Sequence, residues 1–181
     1  NFISSATTGR FGRAYTRALF RWGENVGDKI PKDSPVDVSL KWWQQMLPML
    51  TLRWEARSAK VENFNILIHD SSNGFGGFTL MVRKNGVFKK PIYGSFAEAF
   101  SPEVMKQSFT KEGFGGLIAF LNSLRLCQGE PMLFLSDSSG WCGALRSGSS
   151  PHAILNFLAG VAHAAALATE TRIWIEHIPG K

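Results

Sequence analysis

The sequence predicts a mixed α/β domain, a five-stranded sheet flanked by helices, with a helical segment in front of it. Short apolar runs of strand length alternate with longer segments whose apolar residues recur at helical spacing. From about residue 63 the elements follow the order βββαβααβ. Strand–helix–strand connections of this kind make neighbouring strands parallel, so the sheet is expected to be mixed.

Composition is that of a folded, basic protein. The 181 residues suffice for one ordinary domain with a sizeable core plus an appendage. With 44% hydrophobic residues, 14 Phe and 6 Trp, a packed core is expected rather than disorder. The difference between 20 basic and 14 acidic residues is +6, and the pI is about 9.6. This charge favours an anionic partner such as nucleic acid, although it also promotes solubility.

Cysteine usage and hydropathy predict where the protein resides. Cys127 and Cys142 are far apart and lack the spacing of a zinc site, which predicts two core thiols in a reducing, intracellular compartment, cytoplasmic or nuclear. The chain has no run of about 18 apolar residues, and its first residues lack the apolar centre of a signal peptide. A soluble protein without a membrane partner is expected. The first residue is Asn rather than Met, which suggests a segment of something longer.

Residues 1–60 are interpreted as a lead-in segment, and residues 61–181 as the main domain. In the lead-in segment four arginines recur at steps of three and four, so a helix would carry them along one face. They are Arg10, Arg13, Arg17 and Arg21. Such a face is either a solvated surface or a stripe that contacts phosphates.

A second helix is expected through LKWWQQMLPMLTLRW. Ser39 is predicted to cap its first free amides, and Pro48 to kink or interrupt it. The large apolar residues of this segment are expected to dock it on the following domain, with base stacking as the alternative. They are Trp42, Trp43, Leu47 and Trp54.

Three antiparallel strands are predicted next: FNILIHD, FGGFTLMVRK and GVFKKPIYG, the last two joined by a turn at Lys84-Asn85-Gly86. A helix from 109 to 126 follows, then the strand MLFLS, a short helix after Asp137, an Ala-rich helix from 151 to 169, and the strand RIWIEH. The helix at 109–126 is expected to pack one apolar side on the sheet. That side comprises Phe114, Leu117, Ile118 and Leu121.

Three acidic residues stand at positions suited to metal chemistry. Asp70 and Asp137 each follow an apolar strand and precede turn-forming residues. Parallel neighbouring strands would place both carboxylates at one edge of the sheet, and Glu112, in the helix between them, is expected to lean toward Asp70. The alternatives are a simple turn-forming Asp and a first-turn Glu favoured by the helix dipole. Glu98 and Glu103 compete with Glu112 for its role.

Three carboxylates this close would repel one another unless they were protonated or bound to cations. A set of hard oxygen ligands favours Mg²⁺ or Mn²⁺ over zinc. Two such ions about 4 Å apart suit phosphodiester hydrolysis, because one activates water and the other stabilises the leaving oxygen.

The segments HDSSNGFGG, KEGFGGLIAF, LSDSSGWCGAL and IEHIPGK together resemble the ribonuclease H domain of retroelement (retrotransposon) reverse transcriptases. In that family an Asp with a Gly-rich turn, a helical Glu, an Asp opening a helix and a His with Pro-Gly-Lys occur in this order. The resemblance extends from about residue 63 to the C-terminus, and LKWWQQMLP resembles the connection preceding that domain. It implies a ribonuclease H-like fold, two-metal-ion hydrolysis of the RNA strand of RNA–DNA hybrids, and the polymerase domain of the same polyprotein as a partner.

The resemblance also implies roles for individual residues. Metal coordination falls to Asp70, Glu112 and Asp137, and proton transfer or product release to His177 on a mobile loop. Contacts with nucleic acid are expected from small polar and basic residues, with serines where the family has Asn in the third motif. They are Ser71, Ser138, Ser139, Arg83, Lys84, Lys89 and Lys90. The remaining histidines, His69, His152 and His163, are predicted to be structural.

One departure from the family leaves an alternative open. The family's fourth carboxylate, an Asp at the start of a closing helix, has no counterpart before Lys181. The expectation is therefore a domain that lacks its C-terminal helix and holds the second metal poorly. A catalytically silent module that binds nucleic acid or scaffolds a larger complex is the alternative, and a nuclease or integrase acting on duplex DNA is a third.

Overall fold

The computed structural model describes residues 12–22, 29–49, 64–71, 77–84, 86–88, 92–95, 101, 103 and 106–180. Within these residues the predicted mixed α/β class is confirmed. None of the helices in this part of the chain is long and apolar enough to cross a membrane.

The parallel half of the sheet contains three strands: β1 (Asn65–His69), β5 (Pro131–Ser136) and β6 (Arg172–His177). β5 lies between the other two and is parallel to both. The register aligns His69 with Ser136, and Ser136 with His177. The carboxyl ends of all three strands therefore meet at the same edge of the sheet.

The antiparallel half continues from the other side of β1. β2 (Gly77–Lys84) pairs with β1, as predicted. The predicted third strand is divided into β3 (Val87–Phe88) and β4 (Ile92–Ser95), which pair with different ends of β2. Pro91, in the sequence between them, has no N–H to donate to a ladder. Among the described residues the sheet thus has five positions across its width, filled by six strands.

Three helices pack with the sheet: α3 (Ser108–Leu124), α4 (Ser139–Ser147) and α5 (Ala153–Ala168). α3 contacts β1, β2 and α5, while α4 contacts β5, β6 and α5. The core that they enclose is built mainly from aliphatic and aromatic side chains. Its largest fully buried members are Leu67, Met132, Phe134, Trp141, Leu155 and Leu158. Hydrophobic burial of this kind is the main stabilising term of a domain.

The buried face of α3 differs from the prediction. Leu117 is buried, but Leu121 is 37% exposed. The face is instead made by residues that include Gly113, Gly116 and Phe120. A Cβ on Gly116 would lie 2.9 Å from Cδ1 of Trp141 on α4, so the glycine is what lets this indole ring fit. A pattern of apolar side chains cannot indicate this face, because two of its members are glycines, which have no side chain.

The two cysteines are buried and free, as the sequence predicts. Burial raises the pKa of the Cys142 thiol above its usual value. Its Sγ lies 3.6 Å from the backbone oxygen of Ser136, so the thiol packs against the end of β5.

The lead-in segment forms α1 (Arg13–Trp22) and α2 (Pro35–Met46). The prediction that Ser39 caps α2 is wrong, because Ser34 is the N-cap and accepts the Asp37 N–H at 3.3 Å. Ser39 lies inside the helix and donates its hydroxyl to the Pro35 oxygen at 2.7 Å. A Ser followed by Pro at the first helical position starts a helix well. The predicted interruption at Pro48 is confirmed, since α2 ends in a 3₁₀ turn at Leu47–Met49.

Trp42 of α2 packs on α1, and Trp43 lies edge-on to Trp42. Trp42 stacks on Tyr15 with ring centroids 4.0 Å apart, and Trp43 is buried. Leu47, which was expected to join them, is 48% exposed. Trp54 and Arg10 lie outside the described residues.

α1 in turn docks on α5. The side-chain amide of Asn156 donates to the Ala14 oxygen at 3.0 Å. The two helices cross closely at Gly160, where a Cβ would lie 3.1 Å from both Ala14 Cβ and Tyr15 Cε2. The lead-in segment therefore reaches the domain through α1.

Two helical glycines with opposite surroundings test this packing. Gly116→Ala is expected to destabilise the fold by about 1 kcal/mol or more, because overpacking Trp141 costs about 1–3 kcal/mol and outweighs the gain in helix propensity. Gly143→Ala on α4 meets nothing within 4 Å and should stabilise by up to about 1 kcal/mol. Urea unfolding of both variants measures the difference. Equal changes in the two variants would show that Trp141 does not depend on Gly116.

Candidate metal centre

Asp70 and Asp137 emerge together at the carboxyl ends of β1 and β5. The register of the parallel pair ends at His69 opposite Ser136. Each aspartate directly follows the last residue of its strand. Both aspartates are exposed. The parallel pairing inferred from the sequence therefore brings these two carboxylates to one edge, open to solvent.

Glu112 comes to the same place from α3. The helix begins at Ser108 and has no acidic residue in its first turn, so Glu112 does not sit where the helix dipole would favour it. Its side chain is 13% exposed and lies against the end of β1. Glu103, the competing candidate that the structure describes, is exposed and is not part of this group. Glu98 lies outside the described residues.

The three carboxylates form a compact group. One oxygen from each of Asp70, Glu112 and Asp137 lies within 4.8 Å of the other two. Three acidic side chains this close together form a set of oxygen ligands that a divalent cation could share. Within the described part of the chain, Oε2 of Glu112 is buried and accepts no well-aligned hydrogen bond, although Nε2 of His69 lies 3.1 Å away. A buried carboxylate oxygen that is incompletely satisfied, in a set of hard oxygens, fits a divalent cation such as Mg²⁺ or Mn²⁺. The group can therefore bind a metal ion.

His69 contacts both the backbone and the side chain of Glu112. Its Nε2 lies 3.1 Å from the Glu112 backbone oxygen and 3.1 Å from Oε2 of the same residue. A carbonyl oxygen can only accept, so Nε2 carries the hydrogen, and this N–H also faces the carboxylate. His69 is 1% exposed. Expected only to be structural, it touches a candidate ligand.

A sequence signal for the His69 contact did exist. The burial of β1 alternates, and His69 falls on the inward side together with Leu67. A polar side chain on the core face of a strand must find a partner. The sequence does not reveal that this partner is Glu112, because the helix crosses β1 only after folding.

His177 is the last residue of β6 rather than part of a loop. Its Nε2 lies 3.0 Å from the Asp137 backbone oxygen, so this nitrogen donates to the residue that carries the third carboxylate. The chain continues alongside Asp137: the Ile178 N–H donates to the Ser136 oxygen at 3.0 Å, and a Cβ on Gly180 would lie 3.2 Å from Asp137 Oδ2. The predicted His therefore borders the carboxylate group, at the end of a strand.

The serines expected to contact nucleic acid have different surroundings. Ser71 is 8% exposed, and its hydroxyl donates to the Lys111 oxygen at 3.3 Å. The hydroxyl of Ser71 thus faces α3, and its contact with nucleic acid stays a prediction. Ser138 caps α4 by accepting the Trp141 N–H at 3.4 Å. Ser139 is exposed.

The basic residues expected to grip phosphates are only partly described. Arg83 lies on β2 and is half-buried. The side chain of Lys84, and Lys89 and Lys90 as a whole, lie outside the described part of the chain.

The likeness of this chain to a solved structure is weak. No family model and no curated protein matches this chain. Among solved structures, the chain is similar to the foamy viral protease-reverse transcriptase dRH in complex with ds DNA, at a TM-score of 0.43 and 14% sequence identity. The match covers 93% of this chain and 29% of that chain. A TM-score below 0.5 does not establish a shared fold.

Substitutions of His69 test its contact with Glu112. His69→Leu is expected to lower the free energy of unfolding by about 1–3 kcal/mol, because the Glu112 carbonyl loses its buried donor. His69→Gln keeps an N–H of similar reach and should retain most of the stability. Urea unfolding measures both, and the exposed His152→Leu should stay within about 0.5 kcal/mol of the original. Equal losses for Leu and Gln would mean that only packing matters at position 69.

Proposed function

We propose that this chain is a metal-dependent endonuclease of the ribonuclease H type, which hydrolyses the RNA strand of RNA–DNA hybrids as part of a retroelement reverse transcriptase. The observation that carries the proposal is the convergence of Asp70, Glu112 and Asp137 within 4.8 Å at one sheet edge. The order of these residues along the chain, and the motifs around them, supply the resemblance to that family.

The proposed ligands differ in their exposure to solvent, and this difference suggests different roles. Asp70 and Asp137 are exposed, so their oxygens can share a cation with an incoming phosphodiester. Glu112 is mostly buried and fixed from behind by His69, so it gives the site one ligand of restricted mobility. Bound Mg²⁺ or Mn²⁺, proposed as two ions, would supply the Lewis acid that activates water and neutralises charge on the leaving oxygen.

His177 is the proposed proton carrier. Since its Nε2 donates to the Asp137 oxygen, Nδ1 carries the lone pair of the neutral ring. His177 is exposed, and Nδ1 can therefore take a proton from water or return one to the leaving oxygen.

The proposed substrate follows from charge and from the resemblance. A net charge of +6 attracts the phosphates of any nucleic acid. Selectivity for hybrids would come from contacts with 2′-hydroxyls and from backbone shape rather than from base edges. Ser139, which is exposed and follows Asp137 by two residues, is the serine proposed to make such a contact.

The proposal includes the wider setting. Residues 1–60 would form part of the connection and residues 61–181 the ribonuclease H-like domain, with the polymerase domain of the same polyprotein as partner. The two free, buried cysteines suit the reducing interior of a cell, cytoplasmic or nuclear.

The second candidate is a module of the same fold that binds nucleic acid without cleaving it. Within the described residues the metal group contains three carboxylates, a set that suits one firmly held ion more directly than two. Binding without hydrolysis under saturating Mg²⁺ and Mn²⁺ would favour this candidate.

Removing one carboxylate tests the enzyme proposal. Asp70→Asn is expected to lower the initial rate of hybrid cleavage by at least about 100-fold, comparable to removing one electrostatic element of an active site. Asp33→Asn is the matched control, because it removes the same charge from an exposed position with a φ of 60°, which Asn tolerates. Competition between labelled hybrid and duplex DNA identifies the substrate class. Equal rates for Asp70→Asn and Asp33→Asn would contradict the proposed site.

Metal binding can be tested without cleavage. Mn²⁺ should raise the melting temperature of the protein, since a ligand at 100 times its Kd stabilises by about 2.7 kcal/mol. Asp137→Asn should lose this response, yet melt at the same or a higher temperature than the original in EDTA, because one repelling charge is gone. Differential scanning calorimetry measures both effects. A variant that keeps the full Mn²⁺ response would exclude Asp137 as a ligand.

A further inference from the structure

A shallow groove lies between α1 and the turn that joins α4 to α5, away from the carboxylate group. Its volume is about 350 Å³. One side is a face of α1 and the other is the turn at Ser149. The lining residues are Arg13, Thr16, Arg17, Phe20, Arg21 and Ser149.

The groove is strongly positive. Its three charged residues are all arginines, and they recur at intervals of four, so their Cβ atoms follow one another at about 6 Å along the helix. Among the ion pairs formed between described residues, none involves Arg17 or Arg21. A row of cations at regular spacing suits a polyanion better than a single small anion.

Arg13, the first of the three arginines, is anchored by a hydrogen bond to the end of α4. Its Nη1 donates to the Ser147 oxygen at 3.2 Å, while its buried Nε has no hydrogen-bond partner in the described part of the chain. An anchored guanidinium loses less side-chain freedom on binding than a mobile one.

Phe20 identifies the kind of polyanion. It is 60% exposed although it is large and apolar, and it lines the groove between Arg17 and Arg21. An aromatic ring in a positive groove is the arrangement with which proteins bind single-stranded nucleic acid, because bases stack on the ring while the cations follow the backbone. A lipid headgroup or an acidic peptide would bind the arginines, but it has no base to stack on the Phe20 ring.

A neighbouring hollow leads from this groove toward the carboxylate group. It has a volume of about 300 Å³, shares Ser149 with the first groove and reaches Ser139, two residues after Asp137. Between these points it follows the outer face of α4, where Gly140 and Gly143 leave the surface open. A nine-residue helix spans about 14 Å, so the distance is that of a few nucleotides.

We propose that the groove on α1 binds a single-stranded extension of the nucleic acid whose paired part occupies the carboxylate site, with phosphates on Arg17 and Arg21 and a base on Phe20. The inference rests on the proposed function for the identity of the partner, but it does not require cleavage. The site lies on the lead-in segment and is separate from the residues that hold the metal.

Fluorescence anisotropy of the full chain in EDTA tests this proposal with a labelled single strand, a hybrid with a single-stranded overhang and a blunt hybrid. Arg17→Ala/Arg21→Ala should reduce the salt slope of single-strand binding by about 1.4, at about 0.7 per lost contact. Phe20→Ala should weaken binding at least about fivefold with little change of slope. Arg17→Lys/Arg21→Lys should restore the slope. The overhang should improve binding of the original chain over the blunt hybrid, and this advantage should vanish in the alanine variant.

The matched control is Arg125→Ala/Arg172→Ala, which removes two exposed charges that do not line the groove. Thermal melting confirms that every variant is folded. The proposal is overturned if the control lowers the slope as much as the groove variant, or if neither changes it. It also fails if inorganic phosphate displaces the labelled strand as well as unlabelled oligonucleotide does at equal phosphorus concentration, since the groove would then be a simple anion site.

The two proposals can fail separately. Asp70→Asn should keep the groove-dependent binding of overhangs. A chain that shows this binding but never cleaves contradicts the nuclease and leaves the groove intact. A chain that cleaves, while its groove variants bind overhangs normally, contradicts the groove alone.

Discussion

The parallel pairing of β1 with β5 is the constraint on which the site depends. Strands that run the same way end at the same edge, so Asp70 and Asp137 become neighbours although 66 residues of chain separate them. Such a pair cannot be joined by a tight turn, and the chain must cross over the sheet. α3 is part of that crossover and carries Glu112. The connection that makes the strands parallel therefore also delivers the third carboxylate.

Bringing three carboxylates together costs free energy, because like charges repel one another. Three carboxylates share a small volume, and Glu112 is largely removed from water. His69 offsets part of this cost by turning an N–H toward Glu112, and His177 ties the Asp137 backbone to the end of β6.

Much of this arrangement could be predicted from the sequence because it rests on local patterns. Apolar runs followed by Asp-Ser-Ser locate the ends of β1 and β5, and their repetition points to Asp70 and Asp137. The features that were missed depend on tertiary contacts. Gly116 belongs to a buried face only because Trp141 fills the space above it, and His69 meets Glu112 only once α3 has crossed β1. Ser34 was overlooked because its Pro/Asp-rich surroundings look like a linker, whereas Pro at the first helical position favours a helix.

The close crossing at Gly160 has a consequence for where this protein can be divided. Because Ala14 and Tyr15 sit directly against that glycine, cutting the chain near residue 60 would strip α5 of its cover and uncover a strip of small apolar residues to water. Such a strip invites self-association. The contacts of α1 with α5 therefore favour keeping α1 together with the sheet when the molecule is dissected.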